Sequence, residues 1–252
     1  MSTRNFTRRF YVRPQSDSDR LAIGELEIDG PSAHHMINVL RVSPEDQVVL
    51  FDGCGCEYSA IVQSVKKSKL TVEVIDAAEV SRELPFEISL AVALPKGDRQ
   101  KVLIEKLVEV GVSRLIPLNA KRSVVKSVPK SRDKLLRRVI EASKQCGRNT
   151  LMAIDDPVTT GQLFDSQAPV KLIAHPYSSE NGQSELAASV ALGLDPGQRV
   201  LIAIGPEGGF DRAEVEAAID KGWQPVKIGP AILRVETAAV ALATLFGIAR
   251  AG

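Results

Sequence analysis

From about residue 86 onward, short apolar runs of strand length alternate with segments of helical periodicity, and this alternation restricts the fold more than any other feature. The runs are Ile88–Leu94, Leu115–Leu118, Val170–Ala174, Val200–Ile204 and Val226–Ile228. The helical segments are about Arg99–Val110, Arg132–Gln145, Ser184–Leu192, Arg212–Lys221 and Glu236–Ala249. Strands that are apolar on both faces need cover on both faces, so the pattern predicts an α/β fold: a mostly parallel sheet with helices on each side. The preceding residues read otherwise. Leu21–Ile28 and Leu70–Ile75 alternate apolar with polar residues, and Gln47–Asp52 and Tyr58–Val65 flank a turn-forming cluster around Gly53 and Gly55. With one short helix over Ser32–Arg41, these strands predict a small β-barrel. The pattern changes near Ser81–Pro85, so the expected division is a barrel over residues 1–78 and an α/β domain over 84–252.

Charge is distributed unevenly. Residues 96–148 carry fifteen Lys/Arg against five Asp/Glu, while the whole chain has a formal net charge of only +1. A basic stretch in an otherwise acidic chain is the electrostatic footprint of a polyanion binder; the plainer alternative is a pair of helices with solvated lysine faces. The helix over Arg132–Gln145 concentrates this charge, with Leu135, Leu136, Val139 and Ile140 on one face. Ser131 is expected to cap its first turn, and Gly147 to end it in a left-handed conformation.

Several classes drop out. No run approaches the length of a membrane span. The arginine-rich start has no apolar signal core, so the cytoplasm is the expected compartment, a transit peptide being the weaker alternative. Cys54, Cys56 and Cys146 complete neither a disulfide framework nor a zinc set, and no metal is expected. Cys146 is expected as a small packing residue at a helix end. No nucleophile elbow or metal-ligand run occurs.

The segment Val200–Gly222 carries the chemistry. An apolar strand enters Gly205-Pro206-Glu207-Gly208-Gly209-Phe210, and a helix follows, with Asp211 and Glu214 spaced as a capping box. A glycine-rich turn between strand and helix lets a ligand approach the backbone. Glu207 would repel a phosphate and Pro206 removes an amide donor, so a neutral or cationic ligand fits better. The alternative is an ordinary tight turn with Glu207 in solvent. Two more loops leave apolar strands on the same side of the inferred sheet, at His175-Pro176 and at Ile228–Ala238. Loops gathered beyond the carboxyl ends of strands make a pocket. His175 taken alone reads as a hydrogen-bonded turn residue, and His34 and His35 as packing or surface groups on the barrel's helix.

At these residues the chain closely resembles the RsmE family, the 16S ribosomal RNA uridine-N3 methyltransferases of the SPOUT superfamily. The likeness runs from Arg8-Arg9-Phe10-Tyr11-Val12, His34-His35 and Val39-Leu40-Arg41 through Leu94-Pro95-Lys96-Gly97-Asp98-Arg99, Arg122-Ser123 and Gln145-Cys146-Gly147-Arg148. It ends on the glycine-rich loop above and on Ile232-Leu233-Arg234 with Glu236-Thr237-Ala238. The resemblance implies a PUA-like RNA-binding barrel and a knotted α/β domain that binds S-adenosylmethionine. It assigns the cofactor to His175, Pro176, Ile204, Gly205, Glu207, Gly208, Ile228, Gly229, Ile232, Leu233 and Arg234. Chemistry falls to Arg122, Arg234 and Glu207, with Arg148 a further candidate for the developing oxyanion. RNA contacts fall to Arg8, Arg9, Arg41, Lys96, Arg99, Arg122, Arg137, Arg138 and Arg148. The implied partners are 16S ribosomal RNA of the small subunit and a second copy of the chain, paired through the last, nearly all-apolar helix. This chain departs from the family at Ala231, where arginine is common, and at Val235, where threonine is common. Those departures are the support for an alternative, an RNA-binding assembly factor with a vestigial donor pocket. A dinucleotide-dependent dehydrogenase lacks its acidic ribose partner, since the suitable strand end offers Lys227.

Overall fold

The computed structural model describes residues 8–14, 20–175, 184–195 and 197–248. Its first strands are β1 (Arg8–Tyr11), β2 (Gly24–Ile28), β3 (Gln47–Phe51), β4 (Cys56–Val65) and β5 (Leu70–Glu79). They form one sheet in the order β1-β3-β4-β5-β2, parallel between β1 and β3 and antiparallel elsewhere. Period-two patterning sets the inward face: Cys56, Tyr58, Ala60 and Val62 of β4 meet Leu70, Val72 and Val74 of β5 in one buried cluster with Phe10 and Met36. β1 escaped the sequence reading because Phe10 is its single buried residue; a strand that short carries no period. The helix expected over Ser32–Arg41 is two pieces, α1 (Gly30–His34) and a π-helical turn over His35–Val39. Pro31 presets the backbone at the start of α1.

Contacts divide the chain into two compact units. One runs as far as Glu83 and also takes Ser143–Leu151; the other holds Leu84–Ala142 and the chain from Met152 onward. No single boundary along the sequence anticipates the inserted stretch. Backbone bonds explain it: Leu151 N donates to Gly53 O at 2.9 Å and Gly55 N to Asn149 O at 3.3 Å.

The second unit contains β6 (Ile88–Val92), α2 (Asp98–Glu109), β7 (Arg114–Asn119), α3 (Arg132–Cys146, whose last residues join the first unit), β8 (Ala153–Ile154), β9 (Val158–Thr159) and α4 (Thr160–Phe164). It continues with β10 (Val170–Ala174), β11 (Glu185–Leu186), α5 (Ala187–Leu192), β12 (Val200–Ile204), α6 (Arg212–Asp220), β13 (Gln224–Lys227) and α7 (Val235–Ile248). The strand order is β11-β13-β10-β12-β6-β7-β8, with β9 beside β7, and every pair is parallel. All five residues of β12 are buried, which places it at the centre with both faces covered. One face carries Trp223, Phe164 and Phe210 with Val215 and Ala218. The other receives α7, which packs on β6, β12, α2 and α5.

Local departures have simple causes. Ser131 does not cap α3; it ends a short 3-10 turn, and its hydroxyl donates to Val128 O at 2.6 Å. The segment expected as one helix from Ser184 begins as strand β11 before turning into α5. Gly147 does end α3, at φ 81°. Cys146 is exposed rather than packed, whereas Cys56 is in the barrel core.

Candidate functional site

Beyond the carboxyl ends of β10, β12 and β13 lies a cleft of about 570 Å³. Its wall after β12 is the loop Gly205–Phe210. Gly209 adopts φ 68°, a conformation that suits glycine, and Gly209 N closes the turn on Pro206 O at 2.8 Å. Gly205 serves packing instead: a Cβ there would lie 3.0 Å from the Phe210 ring. Phe210 in turn sits 6.4 Å from Phe164, whose ring meets Trp223 edge-on at 5.5 Å. Such aromatic pairs contribute about 0.5–1.5 kcal/mol each beyond their burial, so the loop is pinned to the core by its last residue.

The loop is held from the solvent side as well. Arg122 donates from Nη1 to Gly208 O at 2.9 Å, and Arg99 of α2 pairs with Glu207 at 3.1 Å. Asp211 and Glu214 form the expected capping box at the start of α6. Glu214 does more than cap. Its Oε1 also accepts from Lys121 N at 2.9 Å and from the Thr160 hydroxyl at 3.2 Å, tying α6 to the segment after β7 and to α4.

Opposite walls come from the ends of β10 and β13. His175 lines the cleft, half buried, with its backbone N–H on Val226 O at 2.9 Å. Burial pushes its imidazole below the usual value of 6.5, favouring the neutral ring. Ile228, Gly229, Ile232 and Leu233 complete this side, with Val235, Ala238 and Leu242 of α7 behind. A Cβ on Gly229 would meet nothing within 4 Å, so that backbone faces open space.

The structure thus brings together on one cleft His175, Ile204, Gly205, Glu207, Gly208, Ile228, Gly229, Ile232, Leu233 and Arg122. Pro176 lies outside the described residues. Arg234 is exposed and does not line the cleft. The residues where this chain departs from the family, Ala231 and Val235, both line it. Sequence reasoning missed Phe210, Lys227, and the Arg212 and Glu216 pair as wall residues. The aromatic after the double glycine was the available signal for Phe210, and no local pattern marked the others.

The candidates for RNA contact separate sharply. Arg41, Lys96, Arg122 and Arg137 are exposed, and Arg138 is half buried on α3. Arg8 is exposed and pairs with Asp46 at 3.0 Å. Arg9 is mostly covered: it bonds Glu57 and Asn149, and its guanidinium lies 4.9 Å from the Phe51 ring centroid. Arg148 departs furthest from the solvent-facing position that an RNA or substrate contact needs. It is 3% exposed and donates from Nε to Glu83 at 2.8 Å. Its charge is absorbed within its own unit.

Among the described residues, no group of His, Cys, Asp and Glu could hold a metal ion, and no helix is long and apolar enough to cross a membrane. A covered parallel sheet with an open cleft of mixed apolar and charged lining beyond its strand ends defines an α/β protein that takes a small organic ligand there. Residues 82–247 match the family model of the RNA methyltransferase domain, and residues 28–75 that of the RNA methyltransferase PUA domain. The ribosomal RNA small subunit methyltransferase E of Bacillus subtilis is 35% identical over 84% of this chain and 85% of its own length. A Legionella pneumophila methyltransferase solved in complex with the bound cofactor SAM superposes with a TM-score of 0.86 at 32% identity, covering 96% of this chain and 98% of its own. The methyltransferase E of Neisseria gonorrhoeae, solved bound to S-adenosyl methionine, gives 0.81 at 28% identity, over 94% of this chain and 95% of its own. The chain belongs to the RNA methyltransferase family, among the ribosomal RNA small subunit methyltransferase E proteins. Its fold is accordingly of the SPOUT type, preceded by a PUA-like barrel.

Proposed function

We propose that this chain uses S-adenosylmethionine to methylate N3 of a uridine in 16S ribosomal RNA of the small subunit, as a cytoplasmic homodimer. The observation that carries the reading is the cleft itself, in a chain of this family. Its residues fit the cofactor. Ile204, Ile228, Ile232, Leu233 and Leu242 give it apolar contact, Glu207 rather than a lysine stands in the glycine-rich loop, and the backbone at Gly229 is open to a ligand. His175 is held towards its uncharged form beside a cationic ligand. Ile228, Gly229, Ile232 and Leu233 would hold the adenosine, with His175, Ile204, Gly205, Glu207 and Gly208 around the rest. Pro176 belongs to the same assignment.

When bound, the cofactor supplies an electrophilic sulfonium methyl. Uracil N3 carries a proton and attacks only when that proton leaves to solvent, so charge builds on the neighbouring carbonyl oxygens O2 and O4. Arg122, fixed at the cleft wall by Gly208 O, would stabilise that charge as a preorganised cation. Glu207 is held by Arg99, which suits a clamp better than a base. Arg234, exposed and off the cleft lining, suits a phosphate contact better than the reacting base. Arg8, Arg41, Lys96, Arg99, Arg137 and Arg138 extend the RNA surface, while Arg9 and Arg148 support it from within. The barrel domain (1–78) would grip RNA and the α/β domain (84–252) would carry the reaction.

Two further parts of the reading rest on α7. Its core-facing side is buried at Val235, Ala239, Leu242 and Phe246, yet Val240, Ala241 and Leu245 are only half covered and Ile248 is 74% exposed. A second copy would cover that face. The trefoil knot implied by the resemblance involves the same C-terminal segments. Against a vestigial pocket, Ala231 and Val235 leave the cleft open rather than filled. Mass spectrometry of ribosomal RNA from a strain lacking the gene, before and after treatment with purified protein, tests the function. A 3-methyluridine gained on treatment is expected; RNA left unmethylated by a protein that binds labelled S-adenosylmethionine would favour the assembly-factor alternative.

A further inference from the structure

The segment between β7 and α3 is neither a loose loop nor part of the cleft floor. Asn119 closes its first part into a loop, with Ser127 N donating to Asn119 Oδ1 at 2.8 Å and Asn119 Nδ2 to Ser127 O at 3.0 Å, and Ser131 N closes the turn that follows on Val128 O at 2.9 Å. Inside this clasp, Ala120 N donates to Ser123 Oγ at 2.9 Å and Lys126 Nζ to Ala120 O at 2.8 Å. From outside, Glu214 takes Lys121 N at 2.9 Å and Asp211 takes Lys121 Nζ at 2.6 Å. A segment tied this often is preorganised.

Yet it turns apolar side chains to solvent. Val124 is 61% and Val128 52% exposed. Isolated exposed valines need no explanation. The same stretch of chain carries four cations, Lys121, Arg122, Lys126 and Lys130, and no acidic residue of its own from Asn119 to Ser131; of the four, Lys121 is paired with Asp211. Arg122 also lines the cleft, so the segment runs away from the cleft's own wall. Positive charge interleaved with apolar contact, on a rigid support, complements a polyanion that exposes flat apolar faces. Single-stranded RNA has both properties. An A-form duplex keeps its bases stacked behind a narrow major groove and would leave the valines without a partner.

We propose that Asn119–Ser131 is the surface that receives the unpaired nucleotides flanking the methylated base, with Val124 and Val128 against the base faces and Lys130 against phosphate. This rests on the function proposed above and adds to it that the substrate is unpaired around its target. Preorganisation means that little ordering entropy is lost on contact.

The test uses methyl transfer to small ribosomal subunits purified from cells lacking the enzyme. For the double variant Val124→Ala/Val128→Ala, KM for the subunits should rise about tenfold, the effect of removing the buried methyl groups of two side chains. Its kcat, its affinity for S-adenosylmethionine and the salt dependence of kcat/KM should stay as in wild type. Lys130→Ala should lower the slope of log kcat/KM against log salt by about one, since one phosphate contact is lost. An unchanged KM in the valine variant overturns the proposal, as does an unchanged slope in the lysine variant. A change of molecular mass in light scattering would show that the valines face another copy of the chain, and would overturn it too. If wild type transfers no methyl group to these subunits, the function itself fails and this surface with it; wild-type transfer with an indifferent valine variant sinks only the surface.

Discussion

The two units of this protein each hold a pair of arginines that do different work. In the barrel unit, two arginines are absorbed into architecture while Arg8 and Arg41 stay exposed: Arg148 is buried against Glu83, and Arg9 lies over Phe51 with Glu57 and Asn149 on its guanidinium. In the α/β unit, Arg122 and Arg99 remain partly exposed and hold the two sides of one glycine-rich loop beside an open cleft. The difference follows from how each sheet buries its residues. The barrel joins a distant stretch, Ser143–Leu151, to its own strands, and the polar groups carried in with it need partners. The parallel sheet buries nearly pure hydrocarbon and leaves its polar groups to the loops at strand ends, where ligands bind. A count of arginines measures neither role.

The sharpest way to break this contrast is Arg148→Ala. It would leave the Glu83 carboxylate without its buried partner, and breaking such a pair costs about 3–5 kcal/mol. Chemical denaturation should show a loss of that order, whereas Arg137→Glu with Arg138→Glu should leave stability nearly unchanged and flatten the salt dependence of RNA binding. A stable Arg148→Ala protein with weakened RNA binding would reverse the assignment.

Next in size is a pair of glycines on the cleft. Gly205→Val drives a side chain into the Phe210 ring, and overpacking of this kind costs about 1–3 kcal/mol. Gly229→Val meets no protein atom from its Cβ, so stability should hold while affinity for S-adenosylmethionine falls at least about tenfold, or roughly 1.4 kcal/mol. Calorimetric titration beside thermal unfolding separates the two. A Gly229→Val protein that binds the cofactor normally would place the ligand elsewhere.

The smallest expected effect concerns His175. Burial lowers its pKa below 6.5, so in the acid range the unfolded chain takes up a proton more readily than the folded one. The stability contributed by keeping the ring neutral is therefore complete above that value and is lost as pH falls towards the lower, folded pKa. A protonated ring would also repel a cationic cofactor. Affinity for S-adenosylmethionine should drop a few-fold as acidification carries the pH below the usual imidazole range, and His175→Gln should remove part of that dependence. An identical pH profile in the variant would separate His175 from the ligand.

Much of the site was legible because its signals are local. The run Val200–Ile204 followed by Gly205–Phe210 and the Asp211/Glu214 cap is read from adjacent residues, and each lies where the pattern predicts. The placing of Arg234 was not legible in this way: it sits between the cleft residues Leu233 and Val235 in sequence, yet it is exposed and off the lining. Neighbours along an irregular turn need not share a face. Gly205 has a second role that the local pattern did not show, since besides lining the cleft it makes room for the Phe210 ring.

The sequence by itself determined the layers of the fold, the apolar strand that leads into the glycine-rich loop and the end of the sheet where ligands gather. Hydrophobic period and turn chemistry depend on residues a few positions apart, and these survive whatever the tertiary arrangement. Only the tertiary structure decided that Ser143–Leu151 belongs with the barrel, that Arg148 is spent on Glu83, and that Glu214 ties Lys121 and Thr160 to α6. Each of these joins residues far apart along the chain, and a buried charge has no signature until its partner is in place. The desolvation that makes Arg148 structural is set by what covers it, and nothing in the local sequence around residue 148 specifies the cover.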